Sequence, residues 1–259
     1  MPLVLTEQRG AVRHVVLNRP EKRNAFHADL VLATGAALRE AADDPGTRCV
    51  VLRGAGPMFS SGMDVGALAE LGADPDRLRA FRRACLEAWN AAEAMEKPVV
   101  CQIQGGCIGG ALELALACDL RVAAADALLG VPEVRIGLIP DLGGASRLPQ
   151  VVGLGRAKEL VMTGRLLGAE EAERIGLVNR LAPPDELEAA TQALVDELTA
   201  CAPVAVGLAK RVLDASARPA LTATLELEVA LQEACARTDD FAEGAAAFRD
   251  KRQPEFSGR

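Results

Sequence analysis

The sequence predicts an α/β fold built on a largely parallel sheet, and two observations support this prediction. Up to about residue 183, short apolar segments bounded by Gly or Pro alternate with longer segments of helical pattern. Strands that alternate with helices of this length form βαβ-type units, in which the strands run parallel and are buried on both faces. Half of the 259 residues are hydrophobic and a quarter are charged, which is typical of a folded globular protein.

The predicted elements follow one another in a regular order. Segments rich in β-branched residues predict strands at Val12–Leu17, Arg48–Arg53 and Pro98–Gln102, with shorter strands at Cys118–Val122, Ala127–Gly130 and Leu177–Leu181. Apolar residues at helical spacing predict helices at Asp29–Ala42, Pro75–Met95, Gly109–Cys118 and Gly168–Ile175.

The chain changes character after about Pro183. From Asp185 to Arg252 the pattern is helical, with breaks near Ala202-Pro203 and Arg218-Pro219, and it predicts no strand. Because these helices have no sheet of their own to cover, we expect them to pack on the preceding core or on a neighbouring subunit. The predicted division is a core of residues 1–183 and a C-terminal helical region of residues 184–259.

Composition and charge argue against several classes of partner. A net charge of −7 disfavours nucleic acid, because phosphate binding needs a basic face. No basic segment followed by an apolar one opens the chain, and no apolar stretch has membrane-spanning length. Seven cysteines without a Cys-x-x-Cys pair fit a reducing compartment, so we expect a cytoplasmic protein without a membrane partner. With only two histidines, separated from each other and without clustered acids beside them, we expect no metal site.

Glu113 is the residue that points most directly to chemistry. It is the only charged residue between Gly105 and Cys118, a segment without a polar face, so the helix predicted there is buried all round. Burial of a carboxylate costs hydration energy, and such groups often have a perturbed pKa and a catalytic role. The alternative is a structural ion pair with a neighbour such as Arg121.

A glycine-rich turn opens the same helix, with the sequence Gly105-Gly106-Cys107-Ile108-Gly109-Gly110. Cysteine stands where a dinucleotide-binding fingerprint needs its second glycine, and no Gly-Lys-Ser/Thr follows, so neither nucleotide motif is present. A glycine-lined helix N-terminus leaves free N–H groups that can approach a ligand and hold negative charge. The alternative is close packing of the helix against a strand.

Other candidate residues lie in three further turns. The turn Phe59-Ser60-Ser61-Gly62-Met63-Asp64 would supply, together with Gly110, two backbone donors to one oxygen atom, which is an oxyanion hole. Glu133 is a second acid among apolar residues, and Asp141 shortly precedes Gly143-Gly144. Both acids are also compatible with ordinary turn or cap residues.

Taken together, these segments resemble the enoyl-CoA hydratase/isomerase (crotonase) superfamily over essentially the whole chain. The matching blocks occur in the order and spacing of that family, at Leu17–Ala25, Phe59–Val65, Lys97–Asp119, Gly130–Glu133, Gly137–Pro149, Leu160–Gly176 and Phe248–Arg252. The resemblance implies a crotonase-like spiral of ββα units with two near-perpendicular sheets, followed by a helical oligomerisation region. It also implies a homotrimer, or a hexamer formed by two trimers, and an acyl-CoA thioester substrate with no cofactor and no metal.

The resemblance further implies roles for individual residues. Met63 and Gly110 match the two backbone donors of the oxyanion hole, and Glu113 and Glu133 match the two catalytic carboxylates of the hydratases. Asp141 matches a catalytic aspartate of dienoyl-CoA isomerases. The positions that match contacts to substrate and CoA are Lys22, Arg23, Ala25, Ser61, Asp64, Val65, Gly66, Phe248 and Lys251.

The expected function is hydration of the 2,3-double bond of an enoyl-CoA, with the division of acid and base between the two glutamates left open. One alternative is an enoyl-CoA or dienoyl-CoA isomerase that uses Glu133 and Asp141, and another is a non-catalytic member that binds acyl-CoA. Met63 replaces a smaller residue common at the oxyanion turn, and Gly106 stands where an aromatic residue is frequent. Acyl chain length does not follow from the sequence.

Overall fold

The computed structural model describes residues 1–72, 74–217, 229 and 232–255, and the strands within this part of the chain form two sheets. The strands are β1 (Val4–Arg9), β2 (Val12–Leu17), β3 (Cys49–Gly54), β4 (Val99–Ile103), β5 (Gly106–Ile108), β6 (Leu120–Ala124), β7 (Leu128–Gly130), β8 (Leu167–Gly168) and β9 (Arg180–Ala182). The larger sheet has the order β1-β2-β3-β4-β6-β9 and is parallel except for the pair β1 and β2. The largely parallel sheet predicted from the alternation of strands and helices is therefore confirmed.

Helices cover both faces of the larger sheet. They are α1 (Ala28–Asp43), α2 (Val65–Gly72), α3 (Pro75–Ala94), α4 (Gly110–Ala117), α5 (Gly144–Val152), α6 (Leu154–Thr163), α7 (Ala169–Arg174), α8 (Leu187–Ala200), α9 (Pro203–Ala217) and α10 (Asp239–Asp250). Asp74 caps α3 by accepting from the Asp76 and Arg77 amides, and Pro75 occupies the first turn, where a missing N–H costs nothing. The predicted break near Ala202-Pro203 separates α8 from α9, whereas the one predicted near Arg218-Pro219 lies outside the described residues.

The chain passes repeatedly between the two sheets, which gives the fold its spiral form. β4 of the larger sheet leads to β5 of the smaller sheet, β6 leads to β7, and β8 leads back to β9. Isolated parallel bridges join Phe26 to Met63 and Ser60 to Cys107, so earlier turns of the chain add to the second layer in the same manner. This stacking brings the turn that carries Met63 beside the start of α4, although the two are distant in sequence.

The main core lies between the larger sheet, α1, α3 and α4. The rings of Phe26 and Trp89 meet there with centroids 5.0 Å apart. All eight residues of α4 are buried, as its apolar sequence predicts. A second cluster, which includes Val51, Val100 and Leu194, fills the space between the opposite face of the sheet and α8.

The C-terminal helical region packs directly on the core. α10 lies against the 3-10 helix Glu133–Ile136, where a Cβ on Gly244 would come within 2.7 Å of the Ile136 carbonyl carbon. Among the described residues, no single helix is long and apolar enough to cross a membrane. One helix pair, Pro184–Ala200 with Pro203–Ala215, meets the length and composition criteria when taken together, but it is bent by 103°.

Candidate active site

A cavity of about 290 Å³ lies among α2, α3, the start of α4, the 3-10 helix Glu133–Ile136 and α10. Its wall contains the four residues that match the family's catalytic positions, together with the possible isomerase acid. These are Met63, Gly110, Glu113, Glu133 and Asp141. The rest of the wall is largely apolar, with Leu68, Leu78, Phe81, Leu138 and Leu142. The fold therefore brings residues from four separate sequence blocks into one enclosure.

Two turns lie against each other on one side of this cavity, the turn of Met63 and the turn that opens α4. Gly62 has φ of +87°, and a Cβ there would lie 2.3 Å from the carbonyl oxygen of Ile108, so glycine is needed for the approach. Phe26 exchanges hydrogen bonds with the two residues that flank Met63, so the Met63 N–H points away from Phe26. Within the described part of the chain, neither the Met63 N–H nor the Gly110 N–H donates to another protein group.

Buried polar side chains hold these two turns in place. Ser60 Oγ donates to the Asn24 carbonyl at 2.8 Å and accepts from the Gly62 N–H at 3.1 Å. The indole Nε1–H of Trp89 donates to the carbonyl oxygen of Gly110 at 3.2 Å. A turn fixed in this way can keep its N–H groups aimed at one point without reorganisation during a reaction.

Glu113 is 1% exposed, and its carboxylate is held by backbone amides. Oε1 accepts hydrogen bonds from the N–H groups of Leu142 and Gly144, both at 2.8 Å. Arg121 instead donates to three backbone carbonyl groups at the end of α4 and at Leu177, so the ion pair considered from sequence is wrong. Two N–H donors stabilise an ionised carboxylate, which allows a buried glutamate to stay charged.

Glu133 lies in a different environment. Its Oε2 is buried and has no hydrogen-bond partner among the described residues. Burial raises the pKa of Glu133 to about 8, and the negative charge of Asp141 adds to this rise. Oε1 approaches Gly109, where a Cβ would lie 2.7 Å away and where φ is +57°. This rise favours the protonated form of Glu133 at neutral pH.

Asp141 lines the same cavity but is held by an arginine. Arg82 of α3 donates through Nε to Asp141 Oδ2 at 2.9 Å and through Nη2 to the Asp141 carbonyl oxygen at 2.6 Å. The side chain of Arg82 is 7% exposed and that of Asp141 is 14% exposed. A buried guanidinium with two directed donors fixes the position of the aspartate.

The residues matched to substrate and CoA contacts divide into two groups. Ser61, Val65 and Phe248 line the cavity. Those outside the lining are Lys22, Arg23, Ala25, Asp64, Gly66 and Lys251. Of these, the Arg23 carbonyl oxygen accepts from the Ser61 N–H at 3.0 Å, which joins the turn of Lys22 and Arg23 to the cavity wall. Asp64 pairs with Arg19 at 3.0 Å, and Lys251 ends α10 with φ of +53°.

Sequence reasoning missed three contributors to this site: Arg82, Trp89 and the amide pair of Leu142 and Gly144. A signal for Arg82 exists in the sequence, because it lies four residues after Leu78 and seven before Trp89, on the apolar face of α3. The amide pair has no such signal, since a backbone donor carries no residue type. Among the described residues, no group of three His, Cys, Asp or Glu side chains is placed to hold a metal ion.

Comparison with known proteins supports the resemblance noted from sequence. A family model described as enoyl-CoA hydratase/isomerase matches residues 7–259. A crotonyl-CoA hydratase of Syntrophomonas wolfei is 34% identical, with 98% of this chain and 97% of the relative covered. A short-chain-enoyl-CoA hydratase of Clostridium acetobutylicum is also 34% identical, with 97% and 96% covered. The crystal structure of an enoyl-CoA hydratase from Mycobacterium avium subsp. paratuberculosis superimposes with a TM-score of 0.90 at 29% identity, with 99% of each chain covered, so the predicted fold class is confirmed.

Proposed function

The chain belongs to the enoyl-CoA hydratase/isomerase family, and from that membership we propose that it is an enoyl-CoA hydratase. It adds water across the 2,3-double bond of an acyl-CoA thioester. The observation that carries this proposal is that one cavity contains two glutamates in different environments beside two backbone N–H groups that donate to no described protein group. Glu113 is buried, whereas Glu133 is half-buried with one buried carboxyl oxygen. The names of relatives that match nearly the whole chain support the same reaction.

The two N–H groups would polarise the thioester. When water attacks the β-carbon, negative charge moves to the thioester oxygen as an enolate forms. Met63 and Gly110 would donate to that oxygen, and the N-terminus of α4 adds a positive electrostatic field at the same place. Loss of one such donor typically lowers the rate about 10²- to 10³-fold.

The two glutamates would divide the proton transfers. Glu113, held by two amides as a carboxylate, would take a proton from water while the water oxygen bonds to the β-carbon. Glu133, protonated at neutral pH, would deliver its proton to the α-carbon of the enolate. One proton is taken and one is given, so the reaction is balanced without a metal or cofactor, and we propose that none takes part.

The assignment is tested by Glu113→Gln and Glu133→Gln. Each variant should lower the rate of crotonyl-CoA hydration roughly 10²- to 10⁴-fold, because each removes a proton transfer. Binding of butyryl-CoA, measured by isothermal titration calorimetry, should survive in both. Glu96→Gln is the matched control, since Glu96 pairs with Arg211 on the surface. Full hydration activity in either active-site variant would contradict the paired-acid mechanism.

Isomerisation is the second candidate, and the position of Asp141 in the cavity wall favours it. In that reaction one carboxylate removes a proton from the acyl chain and an acid returns it at another carbon, without addition of water. The isomerase function would replace the hydratase function if the enzyme moves double bonds with negligible hydration and Asp141→Asn abolishes this activity. Tight binding of butyryl-CoA without turnover of any enoyl-CoA would indicate a non-catalytic acyl-CoA-binding member.

Contacts to CoA complete the proposal. We infer that Ser61, Val65 and Phe248 contact the substrate, because they line the cavity that holds the two glutamates. Lys22, Arg23 and Lys251 are exposed cations that would reach the phosphates of CoA. The remaining matched positions would support the neighbouring contact residues in the same segments. Ala25 would support Lys22 and Arg23, and Asp64 and Gly66 would support Ser61 and Val65. We further propose that the chain forms a homotrimer or a hexamer.

A further inference from the structure

The turn from Asp141 to Gly144 is the part of the site whose position decides how Glu113 points. Leu142 and Gly144 each donate a backbone N–H to Glu113 Oε1 at 2.8 Å. A displacement of this turn would therefore move the catalytic carboxylate or remove its donors. We call residues 141–144 the carboxylate-seating turn.

Two buried arginines hold adjacent residues at the start of this turn. Arg82 holds Asp141 by both its carboxylate, at 2.9 Å, and its carbonyl oxygen, at 2.6 Å. Arg147 of α5 donates through Nη1 to the Leu142 carbonyl oxygen at 3.1 Å. Gly143, with φ of +98°, leaves room for that guanidinium, since a Cβ there would lie 1.7 Å from Arg147 Nη1.

Both arginines depend on the same helix, α3. Arg82 belongs to α3, and Arg147 donates through Nη2 to Asn90 at 2.7 Å and to Glu93 at 2.9 Å, both on α3. Arg82, Trp89 and Glu93 follow one another at spacings of seven and four residues, so they lie on one face of the helix. That face also carries the indole that bonds to the Gly110 carbonyl. α3 thus holds both the start of α4 and the carboxylate-seating turn on one rigid element.

We propose that Arg82 is a positioning residue, which acts through Asp141 to hold the carboxylate-seating turn and so to orient Glu113. The inference rests on the proposed function of Glu113. It assigns Asp141 a role that needs no proton transfer to substrate. Arg82 of α3 holds the turn in place through its hydrogen bonds to this aspartate. The fork geometry of arginine is required, because one side chain must reach a carboxylate and a carbonyl oxygen together.

The test compares Arg82→Met, Arg82→Lys and Arg79→Met. Arg82→Met should lower kcat for crotonyl-CoA hydration roughly 10- to 100-fold with little change in KM, because a small misplacement of a catalytic group slows the reaction without removing binding contacts. Arg82→Lys keeps the charge without the fork and should recover only part of kcat. Arg79→Met is the matched control, since Arg79 lies one turn earlier on α3 and pairs with Glu233 through Nε and Nη2 on the surface. It should leave kcat unchanged.

The double variant Arg82→Met/Asp141→Asn separates positioning from folding. Loss of the guanidinium beside the Asp141 carboxylate lowers stability in the single variant, and neutralisation of that carboxylate should recover the melting temperature. In contrast, kcat should stay low, since the hydrogen bonds from Arg82 to Asp141 are still absent. Recovery of kcat together with the melting temperature would overturn the proposal and leave Arg82 a purely structural partner.

A crystal structure of Arg82→Met provides a readout that does not depend on activity. The Leu142 and Gly144 amides should no longer both lie within hydrogen-bond distance of Glu113 Oε1. Unchanged hydrogen bonds from both amides to Glu113 Oε1, or full kcat in Arg82→Met, would overturn the inference. If Glu113→Gln itself keeps full hydration, the proposed role of Glu113 fails instead, and the crystal structure still decides whether Arg82 positions the turn.

Discussion

Glu113 and Glu133 differ in what surrounds their carboxyl groups, and this difference suggests their separate roles. Glu113 has two amide donors on one oxygen, whereas Glu133 has a buried oxygen without a partner in the described part of the chain. Hydrogen bonds favour the charged form and burial favours the neutral form. We therefore propose that the same residue type supplies a base and an acid within one cavity.

The raised pKa of Glu133 predicts how hydration depends on pH. The acid must carry its proton to deliver it, so kcat/KM should fall as pH rises through about 8. The measurement is the initial rate of crotonyl-CoA hydration across that range. Because the charge of Asp141 contributes to the rise, Asp141→Asn should move this fall to lower pH. A profile that stays flat above pH 8 would rule out Glu133 as the proton donor.

At the residue scale, the sequence predicts the acids better than their partners. Glu113 stands out because no other ionisable residue lies near it in an apolar helix. Arg82 does not stand out, because Arg83 follows it and four arginines lie in the first nine residues of α3. Its pairing with Asp141 joins residues 59 positions apart, and only the tertiary fold brings them together.

At the scale of elements, β2 carries a buried group that takes no part in the proposed chemistry. His14 is 4% exposed, and neither ring nitrogen has a hydrogen-bond partner among the described residues. Burial, together with the positive charges of Arg9 and Arg53, lowers the pKa of His14 below its usual value near 6.5. The folded protein therefore keeps the imidazole neutral under conditions in which the unfolded chain protonates it.

This predicts a loss of stability in mild acid. As pH falls below about 6.5 the unfolded chain binds a proton that the folded chain refuses, so the free energy of unfolding should fall by at most about 1.4 kcal/mol per pH unit from this group. His14→Leu should remove this contribution, and urea denaturation at pH 8 and pH 5 measures it. The free energy of unfolding of His14→Leu, relative to that of the wild-type chain, should be higher at pH 5 than at pH 8. An equal difference at both pH values would contradict the prediction.

The elements themselves were predicted best where burial dominates. The predicted range of β2 agrees with the structure, and the predicted ranges of β3 and β4 differ from it by only one residue. This agreement follows because both faces of these strands are buried, which gives them a clear apolar pattern. β1 was missed because its outer residues are polar and exposed, and β5 and β8 are too short for a pattern. α2, α5 and α6 were also missed; α5 contains Pro149 and begins at a glycine, and both features weaken a helical pattern.

At the scale of the whole molecule, an exposed apolar face supports the proposed oligomer. Val204, Leu208 and Val212 follow at four-residue spacing on α9 and are 71%, 47% and 68% exposed. Large side chains in such a row favour contact with another subunit. We expect sedimentation velocity to give the mass of a trimer or a hexamer. Leu208→Arg should yield smaller species, while Leu32→Arg on α1 serves as the control, and a monomeric wild-type chain would contradict the proposal.

The spiral topology could not be predicted from the alternation of elements alone. Alternation predicts parallel strands but does not say which strands share a sheet. The passage of the chain between the two sheets depends on single tertiary contacts, such as the bridge between Phe26 and Met63. The resemblance supplied this topology where the pattern could not. The predicted boundary near Pro183 stays a prediction. The first helix after it, α8, packs on β4, β6 and β9 of the larger sheet.

The order in which the cavity wall is encoded has a consequence for biosynthesis. The two glutamates lie near the middle of the sequence, but Phe248 and Pro254, which border the same space, follow much later. A nascent polypeptide on the ribosome thus carries both acids before it carries α10 and the residues after it that border the cavity. We expect the cavity wall to be complete only after α10 has docked on the core, and a protease that removes α10 should open this wall while leaving both acids intact.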